Sequence, residues 1–197
     1  MSAEDRRRWN QRYATATTGA SQTAPEAAMV LSANQHLLPQ RGCALDLACG
    51  RGGNALLLAR HGLQTEAWDI AEAALSQLQQ QAADEGLTLR TRPIDLDSEP
   101  LPQAAFEVIC VSGFLKRPLC PAISAALKPG GVLFYQTFTQ RRASDVSGPS
   151  NPEFLLAPGE LRQLFDDLEL LVYREEADAG DLTQGLRNQA ALVARKR

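Results

Sequence analysis

The feature that most constrains this chain is a strand–loop–helix pattern at residues 44–59, ALDLACGRGGNALLLA. An apolar strand-like segment enters the glycine-containing loop Asp46–Gly53, and an apolar helical pattern follows it. Glycines let the backbone of such a loop approach a ligand without a Cβ in the way. The helix after the loop offers unpaired N–H groups and the positive end of its dipole. The pattern predicts a ligand-binding loop at the carboxyl end of a β-strand.

Strand-like and helical segments alternate along the chain, which is typical of an α/β fold with a mainly parallel sheet. Several strand-like segments are apolar on consecutive residues, as in strands buried on both faces. The five predicted parallel strands are Cys43–Ala48, Gln64–Trp68, Thr88–Ile94, Phe106–Val111 and Val132–Phe138. The predicted helices around them are Asp5–Tyr13, Pro25–Leu38, Gly53–His61, Ala71–Glu85 and Cys120–Leu127. LKPGG at Leu127–Gly131 is predicted to be a turn into the fifth strand.

The C-terminal part has a different order of elements. A predicted helix, Pro158–Phe165, is followed by two strands, Leu168–Glu175 and Leu186–Arg195, with no helix between them. Such strands must pair antiparallel, because a parallel pair needs a long crossover. We therefore expect a doubly wound sheet closed by an antiparallel hairpin. At 197 residues and 44% hydrophobic, the chain suits one domain, with residues 1–39 as a helical cap and 40–197 as the core.

Composition excludes several classes of protein. A formal charge of -3 argues against a dedicated nucleic-acid binder, which usually carries a basic balance. The charged first residues lack the apolar core of a signal peptide, and no apolar run is long enough to span a membrane. The four cysteines form no CxxC pair and no His/Cys cluster with zinc spacing, so no metal site is expected. We expect a cytoplasmic protein.

The glycines alone do not identify the ligand. Residues 50–55, GRGGNA, also satisfy the GxGxx(G/A) spacing of dinucleotide-binding enzymes. Asp46, four residues before Gly50, favours another cofactor, because a carboxylate there attracts an ammonium group and repels a pyrophosphate. The terminal hairpin is also foreign to a dinucleotide-binding half. The alternative role of Asp46 is to cap the following helix.

Two further acids follow the next strands. Asp69 ends the second strand, nineteen positions after Gly50, where a carboxylate can accept hydrogen bonds from both ribose hydroxyls. Its alternative role is the N-cap of the next helix. Ile70 would offer an apolar face to adenine, while Asp95 would accept from the exocyclic amine and Leu96 would pack on the ring. Acids at three strand ends that share one crevice predict a nucleoside-bearing cofactor.

Six sequence blocks carry a family resemblance over nearly the whole chain. They are WNQRYA at Trp9–Ala14, ALDLACGRGGNALLLA, EAWDI, IDLD at Ile94–Asp97, LKPGGVLFYQTF, and GPSNPEFLLAPGEL at Gly148–Leu161. On these blocks the sequence resembles the class I S-adenosylmethionine-dependent methyltransferases, and within them the small tellurite-resistance-type (TehB-like) group. The resemblance implies a Rossmann-like seven-stranded sheet of order 3-2-1-4-5-7-6. It also implies S-adenosylmethionine as methyl donor and S-adenosylhomocysteine as product.

The resemblance also implies a set of cofactor-binding residues. Gly50 and Gly52 would approach the methionine part, while Trp9 and Tyr13 would close over the cofactor with Arg12 near its carboxylate. Together with the residues argued from the strand ends and the loop, the predicted cofactor-binding set is Trp9, Arg12, Tyr13, Asp46, Gly50, Arg51, Gly52, Asp69, Ile70, Asp95, Leu96 and Ser112.

Methyl transfer from a sulfonium is one in-line displacement, so the protein mainly supplies orientation and a suitable cavity. A soft nucleophile needs no general base, and no catalytic residue is assigned. Phe114 is the candidate wall of the transfer pocket. Arg51, Arg117, Arg141 and Arg142 are candidates for an anionic acceptor, with solvated loop charges as the alternative.

The predicted function is methyl transfer to a small molecule, such as a thiol, a metalloid oxyanion or a metabolite. The fourth strand ends ICVSGFLKRP and lacks the (N/D)PPY sequence of enzymes that methylate amino groups of DNA or protein glutamine. Methylation of a macromolecule (protein or RNA) and non-catalytic binding of S-adenosylmethionine remain as alternatives. We expect neither a nucleic-acid nor a membrane partner, and either a monomer or a homodimer.

Overall fold

The computed structural model describes residues 3–16, 25–141 and 148–197. Its strands are β1 Cys43–Leu47, β2 Gln64–Asp69, β3 Leu89–Pro93, β4 Phe106–Ser112, β5 Leu127–Phe138, β6 Glu169–Glu175 and β7 Gln189–Arg195. Its α-helices are α1 Ala3–Ala16, α2 Met29–Ser32, α3 Gly53–Arg60, α4 Glu72–Asp84, α5 Cys120–Ala126 and α6 Glu160–Leu164. Single 3-10 turns lie at Gln35–Leu37, Arg117–Leu119 and Pro152–Phe154.

The described strands form one sheet of order β3-β2-β1-β4-β5-β7-β6. β1 to β5 run parallel, and β7 pairs antiparallel with both β5 and β6. This confirms the α/β fold, the order 3-2-1-4-5-7-6 and the closing hairpin. β1 pairs with both β2 and β4, so the glycine loop after β1 lies at the middle of the carboxyl edge, where ligands bind in such sheets.

The two faces of the sheet are covered by different elements. Leu45, Leu47 and Tyr135 belong to a buried cluster that also contains apolar residues of α5 and α6. Ala44 and Cys110 point to the opposite face and pack in a cluster with Val30, Leu31 and Leu58, from α2 and α3. This alternation follows from the period-two geometry of a strand buried on both faces.

The predicted helix Pro25–Leu38 is wrong over most of its length. Only Met29–Ser32 is α-helical, Gln35–Leu37 forms a 3-10 turn, and residues 25–28 are not helical. The apolar spacing in this region correctly marks burial of Val30 and Leu31, but burial alone does not make a helix. The amide N–H of Ala28 is instead satisfied by a side chain, since it donates to Asn54 Oδ1 at 2.8 Å.

The turn predicted at Leu127–Gly131 is also wrong, because β5 begins at Leu127. Leu127 pairs with Phe106, and the register shifts before the next pair, Val108 with Val132. Gly130 takes a positive φ of 78° and donates its N–H to the Lys196 carbonyl at 2.9 Å. The glycines therefore form an irregularity inside the strand. Over the described residues, no helix has the length and apolarity to cross a membrane.

Candidate functional site

The glycine loop is held by the acid at the end of the next strand. The N–H of Gly50 donates to Asp69 Oδ2 at 2.8 Å, and the N–H of Ala71 donates to Oδ1 at 2.8 Å. Gly50 and Gly52 have positive φ values of 52° and 77°, which glycine adopts without strain. Burial raises the pKa of Asp69, and its backbone hydrogen bonds oppose that shift. Asp69 thus shapes the loop and the start of α4.

Asp46 lies beneath the loop and has no exposed surface. Its Oδ2 accepts from the N–H of Ala55 at 3.0 Å, and its Oδ1 accepts from Asn54 Nδ2 at 3.3 Å. Burial raises the pKa of this carboxyl to about 7, against the lowering effect of its hydrogen bonds. The geometry therefore shows the helix-capping role that the sequence leaves as the alternative, with Asp46 bonded to the first turn of α3.

Asn54, which the sequence analysis does not single out, joins three parts of the chain. Its Nδ2 donates to Asp46 and also to Ser112 Oγ at 2.9 Å, while its Oδ1 accepts from the N–H of Ala28. The residue is almost completely buried. Its sequence signal is one amide within the apolar helical segment GNALLLA. Pattern alone does not reveal the partners, since they lie 26 and 58 positions away.

The segment 25–28 lies directly on the first turn of α3. A Cβ built on Gly53 would overlap the Glu26 carbonyl, so glycine permits this approach. Just beyond, the N–H of Val30 donates to Gln136 Oε1 at 2.7 Å, which attaches α2 to β5. The glycine loop, the ends of β4 and β5, and this N-terminal segment are therefore one connected unit.

Helix α1 packs on α4 beside the glycine loop. Asn10 Oδ1 accepts from the N–H of Ala73 at 3.0 Å, and the Tyr13 carbonyl accepts from Gln77 Nε2 at 3.1 Å. Trp9 stacks on Tyr13 with ring centroids 6.0 Å apart. The Tyr13 hydroxyl lies only 2.6 Å from the position that a Cβ on Gly50 would take.

Charged side chains of both signs lie near the Tyr13 hydroxyl. Burial and the nearby Asp69 carboxylate raise the pKa of Tyr13 to about 12, while the positive charges of Arg12 and Arg51 act in the opposite direction. Arg12 also lies over the Trp9 ring, at 5.2 Å from its centroid. Six residues of the predicted cofactor-binding set are thus neighbours: Trp9, Arg12, Tyr13, Gly50, Arg51 and Asp69.

The residues predicted to receive adenine follow β2 and β3. The N–H of Ile94 donates to the Asp69 carbonyl at 2.9 Å, which keeps the two strand ends together. Ile70 and Leu96 are both buried. Asp95 is half-buried, and its Oδ1 accepts from the N–H of Asp97 at 3.0 Å in a local turn. Of the three predicted acids, Asp69 touches the glycine loop directly, and Asp95 lies one strand away.

The residues predicted to face an acceptor follow β4 and β5. Phe114 is half-buried, and its carbonyl accepts from the Tyr135 hydroxyl at 2.9 Å. The Phe138 ring lies close to both Gly113 and Gly148, since a Cβ on those glycines would be 3.9 and 3.2 Å from it. Two aromatic residues therefore occupy the strand ends next to Ser112.

Arg117 does not present a free guanidinium to an acceptor, because its side chain holds the segment after β5. Its Nε and Nη2 donate to the two carboxylate oxygens of Glu160 at 2.5 and 2.9 Å. Nη1 donates to the Glu153 carbonyl and Nη2 to the Leu155 carbonyl, at 2.7 and 2.9 Å. Arg117 thus orders residues 153–160 at the edge of the crevice.

Two further candidate arginines, Arg141 and Arg142, follow β5, and the structure describes only the first of them. The Arg141 side chain is exposed, and its carbonyl accepts from the Thr139 hydroxyl at 3.0 Å. Arg142, which the sequence also names as an acceptor contact, lies outside the described residues. Among the described residues, no group of three or more His, Cys, Asp or Glu side chains could hold a metal ion.

A family model described as tellurite resistance protein TehB matches residues 10–192. The chain belongs to the TehB family. This confirms the resemblance on which the implied site residues depend. The match begins within α1 and ends within β7, so it includes the glycine loop, β1 to β6 and the segment held by Arg117.

Two curated relatives match part of this TehB-family chain. One from Haemophilus influenzae, named probable S-adenosyl-L-methionine-dependent methyltransferase TehB, is 30% identical over 138 residues, which are 66% of this chain and 47% of the relative. One from Eikenella corrodens, named hemagglutinin 1, is 32% identical over 137 residues, or 66% and 45% of the two chains. The chain spans about half the length of the curated relatives it matches.

The TehB fold is also found among solved structures. The crystal structure of TehB from Haemophilus influenzae superposes with a TM-score of 0.69 at 23% identity, covering 96% of this chain and 67% of that one. At this identity the likeness concerns the fold. It agrees with the strand order observed here.

Proposed function

We propose that this TehB-family chain transfers the methyl group of S-adenosylmethionine to a small-molecule acceptor by in-line displacement. The observation that carries the proposal is the hydrogen bond from the Gly50 N–H to Asp69 at the carboxyl ends of β1 and β2. It brings the glycine loop next to a carboxylate able to accept ribose hydroxyls. The names of TehB relatives support S-adenosylmethionine as the cofactor.

The side chains near the loop fit this cofactor. Each Asp69 oxygen accepts a backbone hydrogen bond and retains a lone pair that suits a ribose hydroxyl. Arg12 and Arg51 supply positive charge for the cofactor carboxylate, and Tyr13 remains a neutral hydroxyl at physiological pH because its pKa is raised to about 12. In this proposal Ile70, Asp95 and Leu96 receive adenine, and α1 covers the cofactor through Trp9 and Tyr13.

The cofactor supplies an activated methyl group, and the chain holds the two reactants in line and keeps water away. Phe114 and Phe138 provide apolar walls at the ends of β4 and β5, where a soft nucleophile such as a thiolate or metalloid oxyanion would approach. Arg117 holds the segment 153–160 beside this edge, and the exposed Arg141 follows the end of β5. No general base is assigned, because such acceptors do not need one.

We propose that the chain acts as a single domain, as a monomer or homodimer. A cytoplasmic location is supported by its four free cysteines, since disulfides are rare in reducing compartments.

The test is formation of S-adenosylhomocysteine by the purified chain with S-adenosylmethionine and separate acceptors: tellurite, selenite, a small thiol, halide, protein and RNA. Turnover with a small acceptor is expected. Turnover with protein or RNA alone would replace the proposal with macromolecular methylation. Tight binding of S-adenosylhomocysteine without turnover on any acceptor would instead indicate a binding protein. A thermal shift with NAD and none with S-adenosylhomocysteine would overturn the cofactor assignment.

A further inference from the structure

We propose that Asn54 is a positioning residue that sets the Ser112 hydroxyl as a hydrogen-bond donor to an anionic oxygen in the crevice. The inference rests on the proposed function, because that oxygen belongs either to the cofactor carboxylate or to an oxyanion acceptor. It assigns Asn54 a role in binding through Ser112, in addition to its bonds within the fold.

The orientation of the Asn54 amide is fixed by its surroundings. The N–H of Ala28 can only donate, so the side-chain atom 2.8 Å from it must be the oxygen Oδ1. Nδ2 therefore faces Asp46 Oδ1 at 3.3 Å and Ser112 Oγ at 2.9 Å. A flipped amide would place two donors against each other at Ala28 and two acceptors against each other at Asp46.

This orientation decides what Ser112 can do. Both hydrogens of Asn54 Nδ2 are used, so Ser112 Oγ is an acceptor in that bond and keeps its own hydrogen for another partner. Among the described residues, no group accepts that hydrogen. Ser112 is half-buried at the last position of β4, and the preceding residue, Val111, pairs with Leu47, where β1 enters the glycine loop.

The available hydrogen therefore lies where a ligand on the glycine loop meets an acceptor. An anionic oxygen suits it best, because hydrogen bonds to charged acceptors are roughly twice as strong as neutral ones. Two sources carry that chemistry here: the carboxylate of the cofactor's amino-acid part and an oxyanion acceptor.

A double-mutant cycle tests the coupling. Titration calorimetry with S-adenosylhomocysteine should show affinity about tenfold weaker for Ser112→Ala and for Asn54→Ala. The double variant should bind S-adenosylhomocysteine no more weakly than the weaker-binding single variant, because both substitutions remove the same interaction. Methylthioadenosine, which lacks the amino-acid part, should bind all variants alike. If the anionic oxygen belongs to the acceptor, the affinity for S-adenosylhomocysteine stays unchanged and the KM for the acceptor rises about tenfold in each single variant. The effects of the two substitutions on this KM should again not be additive.

Two outcomes would overturn the inference: additive effects of the two substitutions, or a Ser112→Ala variant with unchanged cofactor affinity and unchanged acceptor KM. Asn34→Ala is the matched control, because Asn34 Nδ2 donates to the Val30 carbonyl at 2.9 Å but does not contact Ser112. Where Asn54→Ala does not stay folded, Asn54→Ser, one bond too short to reach Ser112, takes its place. Failure of the wild-type chain to bind S-adenosylhomocysteine would instead refute the proposed function.

Discussion

The Gly50 N–H and the Asp69 carboxylate, nineteen positions apart, form a 2.8 Å hydrogen bond that joins the glycine loop to the end of β2. The acid that the sequence assigns to ribose is therefore also a structural part of the loop. The same carboxylate accepts from Ala71 at the start of α4. We therefore expect substitutions at Asp69 to change the loop geometry together with the proposed ligand binding.

Asp69→Ala should weaken binding of S-adenosylmethionine by about tenfold to hundredfold, because it removes a charged acceptor and releases the Gly50 amide. Calorimetric titration with S-adenosylhomocysteine measures the change. Asp84→Ala is the matched control, since Asp84 is exposed on α4 and bonds only to Gln80 at 2.8 Å among the hydrogen bonds described. Unchanged affinity in Asp69→Ala would remove this residue from the site.

Gly53→Ala should destabilise the protein by about 1 to 3 kcal/mol, because the new Cβ overlaps the Glu26 carbonyl and displaces the segment 25–28. Denaturant unfolding measures the free energy. Gly130→Ala is the comparison variant, because it adds backbone strain without any overlap. Gly130 has a φ of 78° and nothing within 4 Å of its Cβ position, so its substitution carries only a conformational cost. Stability of Gly53→Ala equal to wild type would show that the segment is not packed there.

Asp46 should make the protein less stable as pH rises through the range from about 4 to about 7. Burial raises the pKa of this carboxyl from its ordinary value of 3.8 to about 7, so the folded chain holds the proton over this window while the unfolded chain releases it. The Asp46 contribution is fully present below the unfolded pKa and is lost as pH rises through the folded one.

Comparison with Asp46→Asn isolates this effect. The free energy of unfolding of the wild type minus that of Asp46→Asn should fall from pH 4 to 7 and then stay level. Urea unfolding across this pH range measures the difference. A difference that is constant with pH, or that rises, would contradict the raised pKa of Asp46.

Arg117→Ala should loosen residues 153–160, because it removes a paired contact with Glu160 and two bonds to carbonyls. We expect faster amide hydrogen exchange in this segment and a stability loss of about 1 to 3 kcal/mol. Arg195→Ala, which breaks an exposed pair with Glu169, is the control and should cost less than about 1 kcal/mol. Exchange at 153–160 that matches wild type would refute the anchoring role.

Local sequence pattern determined the architecture of this protein. Apolar segments of strand length, glycines after helices, and two consecutive strands at the end were enough to predict the parallel sheet, its closing hairpin and the place of the glycine loop. These features depend on periodicity and chain connection, which a sequence carries directly. The same periodicity led to a wrong prediction of a helix at Pro25–Leu38. Apolar spacing there indicates the burial of Val30 and Leu31 but does not determine the backbone conformation.

Only the tertiary structure decided which polar groups meet. The sequence predicts that Asp46 faces a cofactor ammonium, with helix capping as the alternative, and the structure bonds it to Ala55 and Asn54. Arg117 fits an anionic acceptor in sequence, and the structure commits it to Glu160 and two carbonyls. Buried polar groups must find hydrogen-bond partners, and those partners are supplied by segments distant in the chain. Residue type fixes what a side chain can bind, while folding determines what lies within its reach.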